Sequence, residues 1–290
     1  MRARIFAVAL AVSSVGSLFS CGTTGSERFS FPASAGGAEG AGRAPFTNAL
    51  GWTITLTRAE VSIGPIYLNV IAPLNDQTQS SLLRIRAAYG DTDHLGGGRE
   101  VGEVLGRLTF DALSPTLVPF STSGTVTQEE VRTAEVWLYP PPGVAYETVN
   151  ITAPSLEVAG EATRAGETVR FRGSLVLIEA WASDAQPGER SAQPITDLRK
   201  VRGIPASFFP NAGGSLEIRF DPRPLFRGAD FANLTTNPTD SDGTKVLVQS
   251  KTGTVTTDQV MRNLFQGLRA STGTYAVRWT PGLLPASGEP

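Results

Sequence analysis

The chain of 290 residues is long enough to bury one large core or two small ones, and its 40% hydrophobic content is adequate for that task. Its 25 basic and 27 acidic side chains nearly balance, giving a net charge of −2, which argues against nucleic acid as a partner and against electrostatic adhesion to anionic lipid. A single cysteine excludes an internal disulfide, so the fold must be held by its core alone.

The chain begins with Arg2 and Arg4, followed by an apolar run over residues 5–19. That run has the length of a secretory signal and is too short for a comfortable membrane span. It closes on Leu18-Phe19-Ser20-Cys21, which resembles the bacterial lipobox: an aliphatic residue three before the cysteine, a small residue just before it, then Cys. The resemblance implies that residues 1–20 are a lipoprotein signal peptide, that the Cys21 thiol is acylated, and that Cys21 becomes the mature N-terminus. The acyl chains would then supply the membrane attachment, at roughly 0.8 kcal/mol per buried methylene. Gly22 stands where an aspartate would signal inner-membrane retention, which favours the outer membrane. Residues 21–26 read as a lipidated, flexible tether.

Residues 27–290 read as one large β-rich domain. Phe29 and Phe31 alternate with polar residues as a first strand. The Gly- and Ala-rich stretch that follows, near 32–45, reads as a mobile loop; its glycines lack the helix that a dinucleotide site would need. Trp52, Ile54 and Leu56 then share one face of a strand, and Ala59, Val61 and Ile63 continue on the opposite parity. A phase slip near Arg58 therefore predicts a bulge or bend. Gly64-Pro65 punctuates the chain, and a more buried strand follows over residues 66–71. The same alternation recurs around Leu108 and Phe110, over 134–139, from Val169 to Leu177, around Ile218, over 245–249 and around Val277. Further loops are expected near 72–81, 89–101, 183–197 and 228–243. Many short strands separated by Gly, Pro, Asn and Asp predict an antiparallel β-sandwich or barrel-like domain rather than βα units.

One amphipathic helix is predicted near the C-terminus. Thr256 and Gln259 form a capping box, and Val260, Met261, Leu264, Phe265 and Leu268 fall on one face, with Gly273 beyond as a stop. Thr127 and Glu130 repeat that spacing, an echo that a duplicated strand–helical turn–strand unit or chance in a Thr-rich sequence would explain, and that is too sparse to define a repeat protein.

The sequence holds no nucleophile elbow, phosphate-binding loop or His-Glu-x-x-His motif. Its only histidine, His94, lies beside Asp91 and Asp93, with Glu100 and Glu103 downstream in a glycine-rich turn. Imidazole and carboxylates together suit a divalent metal, although a solvated turn carries the same charges. Residues 237–243 alternate acids before a glycine as calcium loops do, and Asx-turns explain the same pattern. Glu129, Glu130, Glu179 and Asp184 are candidate carboxylates for glycoside hydrolysis. Trp52, Trp137, Trp181 and Trp279 are candidates either for a sugar-stacking platform or for the core.

The segment GWTITLTRAE at 51–60, the GPIYL from Gly64 and the DPRPLF from Asp221 resemble a loose class of uncharacterised envelope lipoproteins. The resemblance implies a location and no activity. The resulting expectation is a lipid-anchored, non-enzymatic β-domain that binds an unidentified ligand or protein partner in the cell envelope. The alternative is an envelope hydrolase or metal-binding protein that uses His94 and nearby carboxylates.

Overall fold

Alternation of apolar and polar side chains places one face of each strand out of water, and this physics organises the whole domain. The computed structural model describes residues 27–71, 99–143, 153–177, 199–249 and 258–282. It is an all-β, mainly antiparallel sandwich, with one α-helix among the described residues near the C-terminus.

Three sheets build it. The first runs β1 (Arg28–Phe31), β9 (Gly124–Thr127), β6 (Glu100–Val104), β5 (Ile66–Asn69), β10 (Val131–Trp137) and β13 (Lys200–Phe208). The second runs β15 (Lys245–Val246), β12 (Glu167–Leu175), β11 (Leu156–Arg164), β4 (Thr53–Ile63) and β3 (Phe46–Thr47), with β7 (Leu108–Asp111) also paired to β4. The third runs β16 (Tyr275–Thr280), β14 (Ser215–Phe220), β2 (Ala33–Gly37) and β8 (Val118–Pro119). Strand β4 leads through Gly64-Pro65 into β5, so one length of chain joins two sheets. The inward side chains of all three sheets merge into a single hydrophobic cluster.

The phase slip at Arg58 is a β-bulge. Ala159 faces Arg58, but the next residue, Gly160, faces Leu56, so Thr57 has no partner on β11. The extra residue turns both Leu56 and Ala59 into the core while Thr57 and Arg58 face solvent.

The stretch near 32–45 is not a loop throughout. Residues Ala33–Gly37 form β2, parallel to β14 and antiparallel to β8, with Ala33 and Ala35 buried. The small residues reflect crowding by neighbouring backbone rather than mobility. A Cβ at Gly36 would lie 2.6 Å from the Thr116 carbonyl oxygen, and one at Gly37 would run into the Ala112 carbonyl. The loop expected near 89–101 gives way to β6 at Glu100. The one expected near 228–243 contains a 3-10 turn at Phe231–Leu234, capped by the Asp230 side chain. The loops expected near 72–81 and 183–197 lie outside the described residues.

The helix, α1, spans Gln259–Leu268 and buries Val260, Met261, Leu264 and Leu268. Its cap is Asp258, whose carboxylate accepts from the Met261 amide at 3.0 Å; Thr256 of the expected capping box lies outside the described residues. Gln259 instead bridges to the backbone at Asp230 and Gly228. The helix also ends before Gly273: the Thr274 hydroxyl donates to the Gly267 carbonyl and the Tyr275 hydroxyl to that of Leu268. The other capping-box candidate, Thr127 to Glu130, starts no helix, because Thr127 ends β9 and its hydroxyl donates to the Val101 carbonyl.

Asp258 is buried and also accepts from the Val248 amide and the Asn237 side chain, at 2.9 and 2.8 Å. Asp258→Ala removes a helix cap and strands buried donors, so we expect it to lower the unfolding free energy by about 2 kcal/mol in a urea titration. Asp258→Asn, which keeps an acceptor oxygen, should lose less.

Candidate functional site

The solvent-side face of the first sheet carries an unusual concentration of rings and charges. On β10, Ala134 and Val136 point into the core, so Glu135 and Trp137 point the other way, and Tyr139 follows on the same parity. The antiparallel register sets Glu135 opposite Tyr67 of β5 and Trp137 opposite Lys200 of β13.

Trp137 is the centre of this arrangement. Its ring lies 5.9 Å from that of Tyr67 and 5.5 Å from that of Tyr139, the latter tilted by 30°. The Lys200 ammonium sits 4.5 Å from the Trp137 ring centroid, and the Arg199 guanidinium 5.1 Å from that of Tyr139. Both are cation–π geometries. The indole N–H donates to Glu135 at 2.5 Å, and the other Glu135 oxygen accepts from Arg202 at 3.1 Å. Trp137 and Tyr67 are half-buried, whereas Tyr139 is buried, so the first two rings are the part of the row open to solvent.

The electrostatics divide the row into two sides. Burial pushes the Tyr67 phenol up to about 12, with help from the negative charges of Glu100, Glu103 and Glu135, so it remains a neutral hydrogen-bonding group at physiological pH. On the other side, Arg199 is only 6% exposed and burial pushes its ionisation down, opposed by Tyr139. Its Nη2 donates to the Leu177 carbonyl at 3.4 Å, while its Nε finds no acceptor among the described residues. Acids on β6 and β10 thus lie nearest Tyr67, with Glu103 paired to Arg28 and Glu135 to Arg202, while Lys200 and buried Arg199, at the start of β13, lie against Trp137 and Tyr139.

Cys21, His94, Asp91 and Asp93, the lipidation and metal candidates, lie outside the described residues, as do Trp181, Glu179 and Asp184. Of the downstream acids, Glu103 pairs with Arg28 at 3.3 Å, Glu129 with Arg99 and Glu130 with Arg132. Among the described residues, no group of three or more His, Cys, Asp or Glu converges to hold a metal ion. At 237–243 the acids make local turns and an ion pair. Asp242 accepts from the Thr244 amide at 3.0 Å, and Asp240 takes a two-pronged contact from Arg172 that holds its carboxyl below the usual range.

The tryptophans do not share one platform. Trp52 is fully buried, packs edge-on to Phe231 and donates to Asp230. Trp279 stacks on Phe208 and meets Phe29 and Phe31 edge-on, leaving Trp137 to the exterior row. Tyr67, Tyr139, Arg199 and Lys200 were not singled out from the sequence. The shared parity of Glu135, Trp137 and Tyr139 was available as a signal, but the cross-strand register that completes the row was not.

No protein-family model matches this chain, and no curated protein or solved structure is similar to it.

Proposed function

We propose that the protein is a lipid-anchored, non-enzymatic β-domain of the cell envelope, held to the outer membrane by acyl chains on Cys21, and that the Tyr67–Trp137–Tyr139 row is its ligand-binding surface. The observation that carries the reading is the row itself: the half-buried rings of Tyr67 and Trp137, backed by buried Tyr139, with acids nearest Tyr67 and cations against Trp137 and Tyr139. Flat rings bind the apolar face of a sugar, and the flanking charges suit one carrying amine and carboxylate substituents. A glycan of the envelope with attached amino acids has both features.

Two measurements test the halves separately. Cys21→Ser should move the full chain from the membrane to the soluble fraction and abolish incorporation of labelled fatty acid; retention of either would remove the anchor reading. Co-sedimentation with purified peptidoglycan sacculi tests the surface. We expect Trp137→Ala to weaken binding about tenfold, equivalent to about 1.4 kcal/mol, and Trp137→Phe to weaken it less. Equal binding by all three proteins would show that the row is not the contact surface.

A further inference from the structure

Four rings, those of Phe29, Phe31, Phe208 and Trp279, gather at one end of the domain, close to the start of β1. Strand β1 starts at Arg28, and the Glu27 carbonyl accepts from the Gln128 amide at 2.9 Å. Three residues later Val131 opens β10, where it faces Phe208, the last residue of β13. The β13–β14 connection that follows Phe208 therefore lies at the same end of the sheet as the first described residue, and the Trp279 ring links the two edges by meeting both Phe29 and Phe208. Only residues 22–26 separate Cys21 from Glu27, and fully extended they bring the two within about 20 Å.

That connection is pinned and carries an apolar side chain outward. The Asn211 side chain accepts from the Trp279 indole at 3.1 Å and from the Gly282 amide at 3.2 Å, and donates to the Gly282 carbonyl at 3.1 Å. Phe208 turns inward and stacks on Trp279 at 5.7 Å, whereas the next residue, Phe209, is 57% exposed. The nearby cations Arg28, Arg99 and Arg132 all sit in ion pairs, with Glu103, Glu129 and Glu130. This end is thus poorly equipped to attract anionic headgroups, and its exposed aromatic group suits the neutral interface of a bilayer.

We infer that the 209–213 turn rests in the interface of the membrane to which Cys21 is anchored, with Phe209 as the inserted group, so that the domain is held in one orientation. The inference rests on the reading of Cys21 as acylated, because the short tether is what confines this end to the lipid surface. It commits to lipid, rather than a second copy of the chain, because the tether ends here.

The test uses the full chain in vesicles of zwitterionic lipid whose acyl chains carry bromine. An acylated Cys21 leaves no free thiol in the parent, so Ala212→Cys and Leu50→Cys can each be labelled with an environment-sensitive thiol dye. Leu50 is 42% exposed and follows Ala49, whose amide donates to the Arg227 carbonyl beyond the end of β14 opposite the turn, which makes it the distal control. We expect quenching at position 212 to exceed that at 50 by about threefold or more, and Phe209→Asp to bring 212 down to the distal level while the protein stays vesicle-bound. Equal quenching at the two positions, or no change with Phe209→Asp, would overturn the inference. A dye at 212 that is shielded from water yet unquenched would mean that protein covers the turn, and would overturn it as well. Labelling of the unmodified parent at Cys21 would instead remove the anchor reading, and this inference with it.

Discussion

Phe171→Ala is expected to lower the unfolding free energy by about 3–5 kcal/mol, enough to consume much of the stability of an ordinary domain. Phe171 is 1% exposed and sits where β12 meets the aromatic centre of the core. Its ring lies 4.8 Å from that of Phe231 and 5.7 Å from that of Phe226, and these two stack on each other 6.4 Å apart. The cluster extends through Phe231 to Trp52, 5.5 Å away. Removing the middle ring deletes contacts on several sides and leaves a cavity that packed strands cannot close. Chemical denaturation should show an earlier midpoint with an unchanged slope. Phe171→Leu, which refills most of the volume, should recover well over half of the loss; an alanine cost below about 1 kcal/mol would mean that the site collapses freely.

Gly37→Val should be the next most damaging change, at about 3 kcal/mol or more, because the obstruction is backbone. The space where its Cβ would sit is already taken by the Ala112 carbonyl, and the Ser114 oxygen lies 2.8 Å away. The Gly37 amide also donates to the Ser114 carbonyl at 2.8 Å, so the approach is fixed by a hydrogen bond as well as by packing. Any relief must move β2 away from β14, with which it pairs from Leu216–Ala33 to Phe220–Gly37. Hydrogen exchange should show protection lost in β2 and β14 before it is lost in β11. By contrast, an alanine at Gly40, where nothing lies within 4 Å but φ is +74°, should cost about 1 kcal/mol through conformational strain alone.

These two sites mark where reading the sequence succeeds and where it fails. Period-two alternation made β4, β12, β14 and β16 legible, because each has one face in the core and one in water. The bulge was legible for the same reason: a parity change at Arg58 has no other economical explanation in a continuous strand. Strand β2 was not legible. Its Ala and Gly residues resemble a loop, and only the carbonyls of Ala112 and Thr116, some eighty residues away, make small side chains obligatory. The helix was legible, but Asp258 as its cap was not: what holds that carboxylate in place is its contacts with Asn237 and Val248, which no local pattern encodes. The exterior aromatic row shows the same division: Trp137 was visible as a candidate, whereas Tyr67 and Lys200 join it only through strand pairing.

The parallel pairing of β2 with β14 carries a kinetic consequence. It sets Ala35 beside Ile218, so a stretch made early in synthesis must wait for one made about 180 residues later. Pairing so distant along the polypeptide slows closure, since the intervening chain must be gathered before any reward is collected. A ribosome finishing this molecule therefore releases a product whose third sheet assembles last, and C-terminal truncation before Ser215 should leave Ala33–Gly37 with only its two-residue pairing to β8.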